Sequence, residues 1–196
     1  MSTLTPPARL TPEDVERASE RDGKLYELID GELKEKKVGF KALFIAGQII
    51  ARLNAHFYPH EGAAATEVMI YCFDGRRHGR KPDVVYVRLK RLPNAQIPDG
   101  DIFIAPDLVV EVLSPGNTGI EVDDKLEEYL AAGVQLVWIV NPDRKSIRVF
   151  RQDGTTRSYR AGEVMENEPA LPGFRLVVSE VFPADASQPT PHRPKE

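Results

Sequence analysis

Three short stretches of the chain place ionisable side chains where chemistry is possible. Lys81-Pro82-Asp83 runs straight into Val84-Val85-Tyr86-Val87, which sets an acid at the mouth of an apolar strand. Asp107-Leu108-Val109-Val110-Glu111-Val112-Leu113 embeds Glu111 among five valines and leucines, and Ser114-Pro115-Gly116 then ends the strand. A carboxylate in such surroundings is costly unless it is paired, protonated or bound to a metal. The third stretch is the helical segment around Lys125. Its apolar stripe of Val122, Leu126, Tyr129 and Leu130 leaves Lys125 on the flank, the charged side chain best placed to reach over the sheet. Each residue alone has a plainer reading: Asp83 ending a turn, Glu111 pairing with an arginine, Lys125 snorkelling to solvent. Together, two acids on successive strands and a lysine on the adjoining helix suit metal-assisted phosphodiester cleavage. Two carboxylates can hold a Mg²⁺ or Mn²⁺ that keeps several waters, and an ammonium group can stabilise charge developing on the phosphate. Asp107 shares the face of Glu111 but lies ~13 Å away along the strand, too far to chelate the same ion.

Charge is unevenly distributed. The net charge of −4, from 26 basic and 30 acidic residues, argues mildly against a nucleic-acid partner. Residues 75–91 nevertheless carry seven Arg/Lys against the single acid Asp83, whereas 117–128 hold five acids around Lys125. The basic run offers Arg76, Arg77, Arg80 and Lys81 as phosphate contacts, or else is a solvated loop. The lone cysteine, Cys72, excludes an intramolecular disulfide and reads as a buried, inert thiol. None of His56, His60, His78 and His192 shows metal-ligand spacing, and Pro59 breaks the helix between the first two.

The elements that must position these groups follow from periodicity. Thr11-Pro12-Glu13-Asp14 opens a short helix to about Arg21. Asp30-Gly31 centres a hairpin in LYELIDGEL. A long helix covers 41–57, with apolar residues at 43, 46, 50, 53 and 57. Strands are expected at 66–73, 82–88, 106–113 and 134–141, the last apolar on both faces as a central strand would be. A helix at 123–132, closed by Gly133, lies between the last two, and 147–151 returns as a hairpin partner. The pattern is that of one α/β (α+β) domain over residues 11–182. Residues 1–10 read as a flexible tail, and 183–196 as a proline-rich disordered one. Neither a signal peptide nor a membrane span is evident, so a cytoplasmic protein is expected.

YELIDGEL at 26–33, RKPDVVYV at 80–87, PDLVVEVLSPGNT at 106–118, KLEEYLAAGVQLVWIVNPD at 125–143 and LPGFRLVV at 171–178 together resemble the Uma2 family. That family, formerly one of unknown function, lies in the PD-(D/E)XK restriction-endonuclease-like superfamily. The resemblance implies a restriction-endonuclease-like core, a mixed central sheet flanked by helices, and a Mg²⁺- or Mn²⁺-dependent endonuclease acting on DNA, as a homodimer. It matches Asp83 and Glu111 to the two metal-binding acids. The superfamily's usual lysine position holds Leu113, and the family's lysine, moved to the following helix, matches Lys125. Glu27 matches an acid that joins the site, and Asp107 a recurring acid of unassigned role. Two rival readings are a catalytically inactive nuclease-fold module that binds nucleic acid or a protein, and an acid-pair hydrolase of small phosphoesters or sugars.

Overall fold

The computed structural model describes residues 10–73 and 78–184. Helix α1 spans Pro12–Asp22, with the Asp14 carboxylate accepting the main-chain N–H of Thr11 at 2.9 Å. It leads into the hairpin β1 (Leu25–Ile29) and β2 (Glu32–Lys36). Asp30 (φ 52°) and Gly31 (φ 83°) both adopt the left-handed conformation that a two-residue hairpin turn requires. This turn fixes the register, Glu27 opposite Lys34 and Leu25 opposite Lys36, and so puts those four residues on one face.

Helix α2 (Phe40–Phe57) buries Ala42, Ile45, Ala46, Ile49, Leu53 and Phe57. The stripe is rotated from the one read in the sequence, because Leu43 stays 45% exposed. The helix is apolar nearly all round, so periodicity alone does not choose its inner face. Six strands follow in one sheet, ordered β3 (Gly62–Ala65), β4 (Val84–Arg88), β5 (Leu108–Val112), β6 (Leu136–Asn141), β7 (Ser146–Arg151) and β8 (Thr156–Arg160). Only β5 and β6 are parallel, and α3 (Gly119–Ala131) makes the crossover between them. A small pair, β9 (Val164–Glu166) and β10 (Arg175–Val177), completes the chain.

Alternation along β5 divides the core. Leu108, Val110 and Val112 pack with α2, Trp138 and Phe174 on one face. Val109 packs with Tyr129, Val137 and Ile139 on the face covered by α3. Glu111 has the parity of Val109 and therefore points beneath α3.

Several expectations are corrected. Residues 66–73 do not form a strand: only Ile70 pairs, in isolated bridges to Arg80 and Ile102, and Glu67 turns the chain with φ 56°. The strand next to β4 is instead Gly62–Ala65, whose Gly-Ala-Ala-Ala sequence carries little β signal. Helix α3 starts four residues earlier than expected, because Thr118 and Glu121 form a capping box. Strands β8 to β10 carry little signal in the sequence, since an edge strand such as TRSYR buries only Tyr159. Among the described residues, no helix is long and apolar enough to cross a membrane.

Candidate active site

Four elements converge at the carboxyl end of β5. Asp83, just before β4, accepts the main-chain N–H of Val112 at 2.6 Å through Oδ2, which ties the two strand ends together. Its Oδ1 lies 2.9 Å from Lys36 Nζ on β2. Lys36 also donates to the carbonyl of Lys81 at 2.6 Å and lies 3.3 Å from Glu67. Burial alone would lower the pKa of this ammonium, but Asp83, Glu111 and Glu67 hold it above the ordinary lysine value.

Glu111 accepts from the Tyr129 hydroxyl at 2.6 Å and from Lys125 Nζ at 3.2 Å, both on Oε1. Lys125 is shared, donating also to Glu27 Oε1 at 3.1 Å. Glu27 in turn receives Arg80 Nη1 at 3.1 Å and the main-chain N–H of Lys81 at 3.2 Å. The two acids respond oppositely. Burial pushes both upward, but Lys125 and Arg80 win at Glu27 and hold it below the usual carboxylate range. At Glu111, burial and the nearby Asp83 and Glu27 charges outweigh Lys125, so its carboxyl is raised. Lys125, although buried, is held well above the ordinary lysine pKa by Glu111 and Glu27. It is an ammonium ion, suited to stabilising negative charge rather than to abstracting a proton.

The structure thus brings Asp83, Glu111, Lys125 and Glu27 together. A cavity of about 260 Å³ is lined by all four, with Lys36 and Ser114 on its walls. Leu113, at the superfamily's usual lysine position, lies half-buried on this wall, and Lys125 reaches Glu111 from α3 in its place. Sequence reasoning missed Lys36 and the hydroxyl of Tyr129.

The basic segment is placed differently from the expectation. Arg80 is 5% exposed and bidentate to Glu128 at 2.6 and 2.7 Å as well as bound to Glu27, so it builds the site and is closed to phosphate. Lys81 is half-buried, its main-chain N–H and carbonyl held by Glu27 and Lys36. Arg76 and Arg77 lie outside the described residues, as do His192 and most of both expected tails. Arg88 and Arg91 serve Asp107, which is fully buried 2.6 and 3.0 Å from them and also accepts the main-chain N–H of Arg88. This assigns Asp107 a structural role. Burial raises the Cys72 thiol to about 11, which makes it unreactive.

The donor chemistry fits a hard divalent cation. Among the described residues no group of three or more His, Cys, Asp or Glu side chains is arranged for metal binding. The carboxylates of Asp83 and Glu111 are the oxygen donors that would hold such an ion here, with water completing its shell. Burial chiefly raises the Glu111 carboxyl, with the Asp83 and Glu27 charges adding to it, and a cation beside it would offset that cost. Its Oε2 accepts no hydrogen bond among the described residues, so one oxygen stays available.

No curated protein matches the chain. Among solved structures, a crystal structure described as a "putative nuclease belonging to DUF820" from Anabaena variabilis ATCC 29413 superposes with a TM-score of 0.69. It is 23% identical, with 81% of this chain and 90% of that chain covered, so the likeness is one of fold. The Uma2 family model, described as "Putative restriction endonuclease", matches residues 12–179, and the chain is a member of that family.

Proposed function

We propose that the protein is a metal-dependent endonuclease that hydrolyses phosphodiester bonds of DNA, with Asp83 and Glu111 as the metal-binding acids. The observation that carries this reading is the meeting of Asp83, Glu111 and a charged Lys125 at one cavity. A bound Mg²⁺ or Mn²⁺ would neutralise charge on the scissile phosphate and make water more acidic. The remaining work falls to the chain itself. Lys125, fixed by Glu27 and Glu111, presents a preorganised positive charge to the phosphate in a largely buried site. Glu27, kept ionised by Arg80 and Lys125, orients that ammonium group. Lys36, 2.9 Å from Asp83 Oδ1, adds a second positive charge. Water attacks phosphorus and gives up a proton to solvent, the P–O bond to the departing sugar oxygen breaks, and that oxygen takes up a proton from solvent.

A second reading, a nuclease fold kept for binding alone, is favoured by the lysine already seated on each acid. Incubation with plasmid and with short DNA and RNA, in Mg²⁺, Mn²⁺ or EDTA, separates the two. Metal-dependent nicking supports the enzyme, and binding without cleavage supports the module.

A further inference from the structure

With Arg80, Arg88 and Arg91 committed to buried acids, the cations that remain accessible lie elsewhere. Residues 144–160 contain six Arg/Lys and the single acid Asp153. Arg151 is bound to Glu168 at 2.6 Å, and Arg157 stacks over Tyr159, 4.4 Å from its ring centroid. Arg148 and Arg160 are exposed and enter no ion pair among the described residues.

Strand register ties these two arginines to the active site. Glu111 pairs with Ile139, Ile139 with Arg148, and Arg148 with Ser158, one row across β5, β6, β7 and β8. Cross-strand partners share a face, so Arg148 stands on the face of Glu111, two strand spacings or roughly 10 Å away. That is about three steps of rise along a nucleic-acid strand. Arg160, opposite Ser146, lies on the same face two pairs further along. A second cavity, lined by Arg148, Asn141 and Thr118, shares Leu113, Ser114, Asn117 and Val122 with the active-site cavity. The Arg148 guanidinium lies 5.5 Å from the Phe150 ring centroid, which leaves its planar edge free for bidentate contact with phosphate.

We propose that the face of β7 and β8 carrying Arg148, Ser158 and Arg160 binds the phosphodiester backbone of nucleic acid and continues the groove that begins at Glu111. The proposal rests on the nuclease reading and supplies its substrate track. A charge that only protects an exposed sheet edge accounts for Arg160 on β8. It does not account for Arg148, which sits on an interior strand in register with the catalytic acid. Asp123, on the α3 wall of the second cavity, and the exposed Asp143 beside it are the counter-charges a passing phosphate must meet.

The test is binding of short single- and double-stranded DNA across a salt series in EDTA, followed by anisotropy. Wild-type protein is compared with Arg148→Ala/Arg160→Ala and with Asp123→Asn. The double variant should bind about 10-fold or more weakly, with a log–log salt slope smaller by roughly 1.8 on duplex, about 0.9 for each lost contact. Asp123→Asn should tighten binding. Unchanged affinity and slope in the double variant, from a protein that nicks DNA in Mg²⁺, overturns this surface and leaves the nuclease reading standing. An arginine-dependent slope without any cleavage supports the surface and removes the nuclease reading, whereas absence of both binding and cleavage overturns the two together. Tighter binding of a polyglutamate peptide than of DNA, lost in the double variant, would assign the surface to an acidic protein and overturn the proposal.

Discussion

Lys125 Nζ stands 3.2 Å from Glu111 Oε1 and 3.1 Å from Glu27 Oε1, so one ammonium clamps acids from β5 and β1. The clamp makes Lys125 a fixed charge on the cavity wall. Lys125→Ala should keep or mildly improve Mn²⁺ affinity, because a cation near the metal site is removed. The cleavage rate should fall ~10²–10³-fold, the scale of losing one preorganised donor. Single-turnover cleavage and calorimetric Mn²⁺ titration check the two halves.

Lys36 gives a prediction that separates it from Lys125. Its Nζ occupies Asp83 Oδ1 at 2.9 Å, where it competes with any cation for that oxygen. Lys36→Met should therefore tighten Mn²⁺ binding more than Lys125→Ala does. Asp83 would keep its bond from the Val112 N–H, so the strand ends should stay joined. Weaker Mn²⁺ binding in a folded Lys36→Met protein would mean that the lysine positions Asp83 rather than competing at it.

Lys36 is a site residue that the sequence hides. The acids were legible because an Asp or Glu at the end of an apolar run is conspicuous, and Lys125 because helical periodicity put it on a flank. Lys36 stands in the run ELKEKK, where every lysine looks like surface. Its signal lay in the Asp30-Gly31 turn, whose register puts Lys34 and Lys36 on the face of Glu27. The basic run misled for the opposite reason. Arg80, Arg88 and Arg91 meet Glu27, Glu128 and Asp107, partners far away in sequence, and charge counting along the chain cannot see such pairs. Central strands were legible from apolar runs, while β3 and β8 were not, because a Gly-Ala strand and a polar edge lack that signature.

Tyr129 donates to Glu111 from a fully buried position. Tyr129→Phe should cost roughly 1.5–3 kcal/mol of stability, the usual range for a hydrogen bond to a charged group. Denaturant unfolding, followed through the single tryptophan, buried Trp138, measures it.

Acid stability should depend on Glu128. Burial would raise its pKa, but hydrogen bonds from His78 and Arg80 hold it down to about 2 from an ordinary 4.5. A depressed folded-state pKa stabilises the protein above the unfolded value, and that stability is lost as pH falls from about 4.5 toward 2. Glu128→Gln should be less stable at neutral pH and show a flatter decline across this window. Parallel acid limbs for variant and wild type would exclude Glu128 as the source.

Asp107 is a control for structure without chemistry. Asp107→Asn should lower stability by about 3 kcal/mol, because the pair it forms with Arg88 and Arg91 is broken at its buried end. Mn²⁺ affinity of the folded fraction should not change.

The most direct measurement is the rate of plasmid nicking by Glu111→Gln beside wild-type protein, each with Mn²⁺ and with EDTA, after unfolding curves establish that both are folded. The metal-site account predicts nicking by the wild type in Mn²⁺ alone and a loss of at least ~10²-fold in the variant. Equal nicking by Glu111→Gln, or nicking that persists in EDTA, would contradict it.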